Sequence, residues 1–106
     1  MNKEFIQLDN QKGSFRFILL LNRECPYSTR MELLEAARDH GIASSAVYKI
    51  LATFIEIGLI TEKTTNTGQK ITNLTSKGIL LAQQIQEIID LMEAFSHSLA
   101  HVRKVV

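Results

Sequence analysis

Apolar side chains recur at three- and four-residue spacing in the middle of the chain, the pattern of a helix with one buried face. After Ser44, the apolar residues Val47, Ile50, Leu51 and Phe54 fall on a single stripe. Serine is a favoured N-cap residue, so we expect Ser44 to cap this helix. The pattern therefore predicts a helix that begins at Ser44 and buries that stripe.

The opposite face of this helix, which we expect to end at Ile57, is polar and almost free of acid. The only carboxylate of the segment is Glu56, and the residues at its start are small. Small residues let a helix approach the base edges in the major groove of DNA. The residues expected to point outward are Ser45, Tyr48, Lys49, Ala52 and Thr53.

Beyond this helix the pattern changes to short runs typical of β-strands. Gly58 is expected to end the helix in the left-handed conformation, and residues 59–63 to form a strand. A polar turn with a glycine follows, and then six residues that alternate between polar and apolar. The two runs are predicted to pair as a two-stranded hairpin, with Lys63 and Lys70 flanking its tip.

Two further helices are predicted before this segment. Ser14 can cap a helix to about Asn22 that is apolar on nearly all sides and is therefore expected to be buried on more than one side. Thr29 and Glu32 have the spacing of a capping box, so a second helix is expected from there to His40. A short link with a glycine joins it to the next helix, which is the helix-turn-helix arrangement.

Two segments carry weaker patterns. Residues 1–13 are expected to form an N-terminal arm, to which the pattern assigns neither helix nor strand. Residues 23–27 are expected to be a plain connection, because Pro26 disfavours helix at its own position and at the residue before it.

The last third of the chain carries the longest periodic pattern. Its apolar residues alternate between steps of four and three, which is a heptad seam on a helix predicted for residues 75–106. A seam of this length exposed on one chain favours aggregation, so we expect a second copy of the chain to cover it. Parallel and antiparallel pairing both remain open, because the flanking positions are almost uncharged. The seam positions are Leu81, Ile85, Ile88, Met92, Phe95, Leu99, Val102 and Val106.

Composition and charge narrow the interpretation. The chain has 106 residues, enough for one domain, and its hydrophobic content of 45% excludes disorder. The net charge is +1, so positive charge has to be judged locally. Residues 42–77 contain four lysines against two glutamates, whereas residues 78–100 contain three acidic residues and no lysine or arginine. The sequence thus separates a mildly basic part from an acidic helix.

The predicted helix, its glycine stop and a hairpin with lysines at its tip resemble the winged helix-turn-helix domain. Over roughly residues 14–80 the chain is similar to PadR-like and MarR-like regulators and to small archaeal DNA-binding proteins of that fold. The segments AVYKILATFIEIGLI, EKTTNTGQKI and NLTSKGILL follow each other as the recognition helix, the wing and the start of a long helix do there.

The resemblance implies a mainly α fold, an α+β winged helix with a two-stranded wing. Three segments are then expected: an N-terminal arm of residues 1–13, a DNA-binding domain of residues 14–74, and a dimerisation helix of residues 75–106. It also implies a sequence-specific regulator of transcription, more a repressor than an activator, that binds double-stranded DNA as a homodimer. No cofactor is expected, and a cytoplasmic location is the default for a chain without a signal peptide or membrane span.

The expected contacts with DNA lie on the recognition helix, on the wing and at the start of the preceding helix. Arg30 is included because a helix N-terminus also attracts phosphate. The wing has no arginine for insertion into the minor groove, which favours backbone contact over base reading there. The predicted residues are Arg30, Ser44, Ser45, Tyr48, Lys49, Thr53, Lys63, Thr65, Asn66 and Lys70. The predicted dimer contacts are Leu81, Ile85, Ile88, Met92, Phe95, Leu99 and Val102.

Alternatives remain at this stage. The chain is either the regulator described above, an architectural protein that binds DNA with weak specificity, or a winged helix used for protein contacts. An enzyme is not expected, because the sequence has no phosphate-binding glycine loop, nucleophile elbow or paired catalytic carboxylates. A small-molecule effector between the first and last helices is an open possibility.

Two further features of the sequence are candidate functional sites, and each also has an ordinary structural explanation. His97 and His101 have the spacing that can chelate a metal on one helix face, although a solvated face is the favoured interpretation. Cys25, the single cysteine, has no partner for an internal disulfide. It is either sensitive to oxidation or, as is more common for a lone cysteine, an inert buried residue.

Overall fold

The computed structural model describes the backbone of residues 2–9 and 11–105, and side chains in these ranges except residues 5, 9 and 97–105. Within it the elements follow the order expected for a winged helix, with a short helix added in front. They are α1 (Lys3–Asp9), α2 (Ser14–Glu24), β1 (Tyr27–Thr29), α3 (Arg30–Asp39), α4 (Ser44–Glu56), β2 (Ile60–Thr64), β3 (Lys70–Leu74) and α5 (Ser76–Val105).

The three strands form one antiparallel sheet in the order β1, β3, β2. The hairpin of β2, β3 and their turn is the predicted two-stranded wing, and Ile60 pairs with Leu74 at its base. The third strand, β1, contradicts the expected plain connection, and Tyr27 pairs there with Asn73. Pro26 does end the helical path, but its carbonyl oxygen accepts a hydrogen bond of 2.8 Å from the N–H of Leu74. The chain therefore continues along β3 as a strand.

Of the three predicted N-caps, one is confirmed and two are wrong. At α2 the cap position is Gly13, without a side-chain cap, so Ser14 is the first helical residue and not the N-cap. At α3 the capping box is confirmed: the N–H of Glu32 donates to the Thr29 hydroxyl at 3.2 Å, and the Glu32 carboxylate accepts from the Thr29 N–H at 3.0 Å. Bonds to the Glu32 carboxylate from the N–H and the hydroxyl of Thr29 lower the pKa of Glu32. At α4 the cap position is Ala43, without a side-chain cap, so Ser44 is the first helical residue and not the N-cap.

The N-terminal arm is folded against the domain. Its residues 3–9 form α1, to which the sequence pattern assigned no structure. Leu8 is buried, and its carbonyl oxygen accepts a hydrogen bond of 2.7 Å from the hydroxyl of Ser14 at the start of α2. This short helix therefore belongs to the packed part of the molecule.

The core lies between α2, α3, α4 and the sheet. As predicted, α2 is buried on more than one side, because Phe17, Ile18, Leu20 and Leu21 are all at most 1% exposed. The ring of Phe17 lies 6.0 Å from that of Phe54 on α4. Burial of each such side chain stabilises the fold by about 1.5 to 3 kcal/mol.

The long helix α5 packs on the core only along its first part. Ala82 is fully buried, while Leu81 and Ile85 are partly buried against the core of their own chain. The expectation of one free seam from Leu81 onward is therefore wrong at its start. All side chains from 90 to 96 are exposed. In the described part of the chain no helix has the length and apolar character that crossing a bilayer requires.

Candidate nucleic-acid interface

Helix α4 presents a polar side to solvent above a fully packed inner stripe. Val47, Ile50 and Phe54 are at most 1% exposed, because they face the core as their spacing predicts. On the other side Ser44, Ser45 and Lys49 are exposed, and the ring of Tyr48 is about half exposed, at 49%. The outward orientation of Ser45, Tyr48 and Lys49 agrees with the sequence pattern.

Thr53 does not belong to this outward side. Its exposure is only 7%, and its hydroxyl accepts a hydrogen bond from the side-chain amide of Gln11. One turn further along, the amide of Gln7 donates to the carboxylate of Glu56 at 3.4 Å. The segment that carries α1 therefore covers the flank of α4 on which Thr53 lies. The prediction that Thr53 faces outward is wrong, because the covering residues are far away in sequence.

The turn of the wing is held by its own threonines. The N–H of Thr65 donates to the carbonyl oxygen of Gln69 at 2.8 Å, and the N–H of Gln69 donates to the hydroxyl of Thr65 at 3.1 Å. A second hydroxyl, from Thr67, lies 2.9 Å from that of Thr65. Asn66 is exposed at the tip. The wing thus ends in an ordered polar turn.

Lys63 and Lys70 flank this tip on opposite faces of the hairpin. Lys63 pairs in register with Ile71, the neighbour of Lys70, and side chains alternate between the two faces along a strand. Both lysines are exposed. The two positive charges therefore bracket the wing.

Arg30, which the sequence pattern offered as a phosphate ligand, is already engaged within the chain. Its guanidinium pairs with the carboxylate of Glu62 on β2 and lies over the ring of Tyr48, 5.4 Å from the ring centroid. Only 27% of the Arg30 side chain is exposed. Arg30 is thus paired with a carboxylate of its own chain, and its contact with phosphate stays a prediction.

Three lysines remain without an acidic partner at this surface. Lys77 is not one of them, since its ammonium group lies 2.9 Å from the carboxylate of Glu4. Among the residues that the structure describes, Lys49, Lys63 and Lys70 form no ion pair. These three lysines thus offer positive charge to a ligand on α4 and the wing.

One depression borders α4, and a second lies apart from α4 and the wing. A cleft of about 550 Å³ lies between α1 and α4, and Lys12 and Lys49 are among its lining residues. The side-chain oxygen of Gln11, in the same cleft, is buried and lacks a partner among the described residues. Between α2 and α5, the position at which the sequence leaves an effector site open, a depression of about 480 Å³ is lined mostly by polar side chains, among them Asn22 and Gln86.

The other candidate sites gain no support here. No group of three or more metal-ligating side chains comes together within the described residues. The side chains of His97 and His101 lie outside those residues. Cys25 is buried, and burial raises the pKa of its thiol, while Ser28 opposes that shift and Glu24 adds to it.

Known structures share this fold. Sso10a-2, a DNA-binding protein from Sulfolobus solfataricus, is 26% identical, with a TM-score of 0.72 over 90% of this chain and 97% of that one. MepR, a transcription regulator of the Staphylococcus aureus multidrug efflux pump MepA, is 21% identical, with a TM-score of 0.71 over 91% of this chain and 70% of that one. MepR in a DNA complex is 20% identical, with a TM-score of 0.65 over 97% of this chain and 83% of that one.

These neighbours confirm the winged helix-turn-helix fold. No protein-family profile matches the chain, and no curated protein sequence matches it.

Proposed function

We propose that the chain is a DNA-binding regulator of transcription whose helix α4 enters the major groove while the wing lies along the backbone. The observation that carries the proposal is the position of the unpaired lysines. Lys49 stands on the exposed side of α4, and Lys63 and Lys70 stand on the wing. Phosphate contacts of this kind supply much of the affinity of proteins for DNA.

The exposed residues of α4 have the chemistry that groove binding requires. Ser44 and Ser45 are small and carry hydroxyl groups, so the start of the helix can approach base edges closely and bond with them. Lys49, one turn further, reaches towards a phosphate. At the wing, Thr65 and Asn66 offer polar groups to the backbone, which positions the protein without reading sequence.

The described functions of the structural neighbours support this proposal. Sso10a-2 is described as a DNA-binding protein, MepR as a transcription regulator, and MepR has been solved with DNA. A winged helix used only for protein contacts would not need the three unpaired lysines on α4 and the wing.

The proposal includes a homodimer formed through the second part of α5. Ile88, Leu91, Met92 and Phe95 are each at least 58% exposed and share one stripe of the helix. Their burial is worth about 1.5 to 3 kcal/mol each, and a second copy of the chain offers an equally apolar stripe. Leu99 and Val102 would continue the stripe, but their side chains lie outside the described residues. A two-fold dimer would bind two half-sites about 34 Å apart, or a multiple of that distance.

Selection of bound duplexes from a random pool at physiological salt tests the proposal. Recovery of a motif with two-fold symmetry is the expected result. Salt-sensitive binding without any motif would favour the architectural alternative, since phosphate contacts alone carry no sequence information. Absence of binding to every duplex would overturn the proposal in favour of protein contacts.

The direction of regulation has its own test. We expect repression, because occupancy of a promoter is sufficient to exclude polymerase. A selected site is placed over a reporter promoter, and the transcript is measured with and without the protein. A higher transcript level in the presence of the protein would contradict repression.

A further inference from the structure

Arg30 lies where three elements of the winged helix meet. It is the first residue of α3, its guanidinium pairs with Glu62 on β2, and it covers the ring of Tyr48 on α4 at 5.4 Å. The side chains of Arg30 and Glu62 are 27% and 21% exposed, so solvent reaches only part of the ion pair. One side chain thus contacts both elements that carry the unpaired lysines.

The backbone that carries Arg30 is itself fixed. The preceding residue, Thr29, forms the capping box with Glu32 and is also the last residue of β1, where it pairs with Ile71 of the central strand. The start of α3 is therefore tied to the sheet and to its own first turn. Because its backbone is fixed, the Arg30 side chain can orient α4 and β2 relative to the start of α3.

The chemistry of the side chain suits this role. The guanidinium group is planar, so its edge can bond a carboxylate while its face covers an aromatic ring. A lysine at the same position would provide a point charge without that fixed geometry. Because one rigid guanidinium makes both contacts, the orientation of the Tyr48 ring on α4 is fixed relative to Glu62 on β2.

We propose that Arg30 is a positioning residue that sets the angle between α4 and the wing through Tyr48 and Glu62. The proposal rests on the proposed DNA binding, since its consequence is that both elements engage one duplex together. Glu62 neutralises Arg30, so the residue acts through its neighbours and not by binding phosphate.

The energetics distinguish positioning from simple stabilisation. The Nε atom of Arg30 is buried and has no hydrogen-bond acceptor among the described residues. A partly buried ion pair with an unmet donor carries a desolvation cost, and apolar residues in place of such a pair often leave stability unchanged or raise it. What the pair contributes is then a defined geometry.

The first test needs no DNA. Spin labels are placed at Ala52→Cys on the exposed side of α4 and Asn66→Cys at the wing tip, and labelled subunits are diluted with unlabelled protein. We expect the double variant Arg30→Met/Glu62→Met to broaden the distance distribution between the labels while the melting temperature stays the same or rises. Tyr48→Phe keeps the ring and should preserve the narrow distribution. An unchanged distribution in the double variant would overturn the proposal.

The second test uses a selected duplex. In the native background, Lys63→Ala and Lys70→Ala weaken binding, and in the double-variant background their effects should fall below about twofold, since coupled sites are not additive. Lys49→Ala should keep its full effect in both backgrounds. Arg38→Met, on the same helix without an ion-pair partner among the described residues, is the matched control.

The positioning role would be contradicted if Lys63→Ala and Lys70→Ala weakened binding as strongly in the double variant as in the native protein. Should the native protein bind no duplex, the proposed function fails, and the label distances still decide whether Arg30 sets the angle.

Discussion

The ammonium group of Lys77 donates a hydrogen bond of 2.7 Å to the carbonyl oxygen of Ile57, the C-cap residue of α4. The last carbonyl groups of a helix lack partners within it and carry the negative end of its dipole, so a cation is favourable there. Lys77 lies in the first turn of α5 and also contacts Glu4 on α1. One side chain thereby joins three helices at the end of the candidate recognition helix.

Replacement of Lys77 by methionine should therefore destabilise the domain. We expect Lys77→Met to lower the free energy of unfolding by about 1 kcal/mol, because the Ile57 carbonyl loses a charged donor. Urea unfolding followed by circular dichroism measures the change. Lys70→Met removes an exposed lysine without an ion pair and should have little effect, and equal losses in the two variants would contradict the role of Lys77.

Gly78 is a second point at which α5 meets the rest of the domain. A Cβ atom there would collide with the carbonyl oxygen of Leu59 and with the side chain of Leu74. We expect Gly78→Ala to cost about 1 to 3 kcal/mol, since a backbone atom must move to make room. Thermal unfolding of Gly78→Ala beside Ser76→Ala, which adds no atoms at an exposed site of the same turn, measures it. If Gly78→Ala had the wild-type melting temperature, α5 could shift without cost and the prediction would be wrong.

Removal of each of the three unpaired lysines should weaken DNA binding. We expect Lys49→Ala, Lys63→Ala and Lys70→Ala to lower affinity for all duplexes alike and to reduce the salt dependence by about one phosphate contact each. Binding is measured by fluorescence anisotropy at several salt concentrations. Arg38→Ala removes a positive charge at the far end of α3 and serves as the control, and a loss as large in that variant would assign the effect to net charge.

A charge on the exposed stripe of α5 should separate the subunits. We expect Phe95→Glu to yield monomers in sedimentation velocity, because a carboxylate cannot be buried between two apolar stripes without a partner. Ala94→Glu places the same charge outside the stripe and should leave the dimer intact. A dimer that persists in Phe95→Glu would place the subunit contact elsewhere.

Cys25 should react slowly in the folded protein. Burial raises the pKa of its thiol above that in the unfolded chain, so the reactive thiolate is scarcer in the folded protein. We expect iodoacetamide at pH 8 to label it far faster in urea than in buffer. Because the folded pKa lies above the unfolded one, the associated stability is present at neutral pH and is lost as pH rises through the folded value. Equal labelling rates would instead support a redox-sensitive site.

Features that depend on neighbouring residues could be predicted from the sequence. The inner stripe of α4, the capping box at Thr29 and Glu32, and the wing hairpin all arise from residues within a few positions of each other. Helical spacing and strand alternation report such local order directly. These elements therefore match the predictions, apart from the exact start of α4.

Features that depend on distant residues could not be predicted. Thr53 is covered by Gln11, 42 positions earlier, and Arg30 pairs with Glu62, 32 positions later. The pairing of Tyr27 with Asn73 that creates β1 is of the same kind. Local spacing shows which side of a helix is polar, but not which polar residues another segment of the chain will cover.

The heptad pattern of α5 shows a related limit. It identifies the residues that favour burial, but it does not show which segment or which chain buries them. Leu81 and Ile85 are partly covered by their own domain, whereas Ile88 and Phe95 remain exposed. The first part of the stripe thus packs into the domain, and its second part leaves an apolar surface exposed.

The order of the strands leaves β2 at a rim of the sheet, with β3 between it and β1. An outer strand has unpaired backbone groups along one side, to which a strand from another molecule can add. β2 is only five residues long and carries Glu62 and Lys63 at its centre. Charges on so short a rim discourage growth into extended sheets, so the same strand that supports the wing also protects the protein against aggregation.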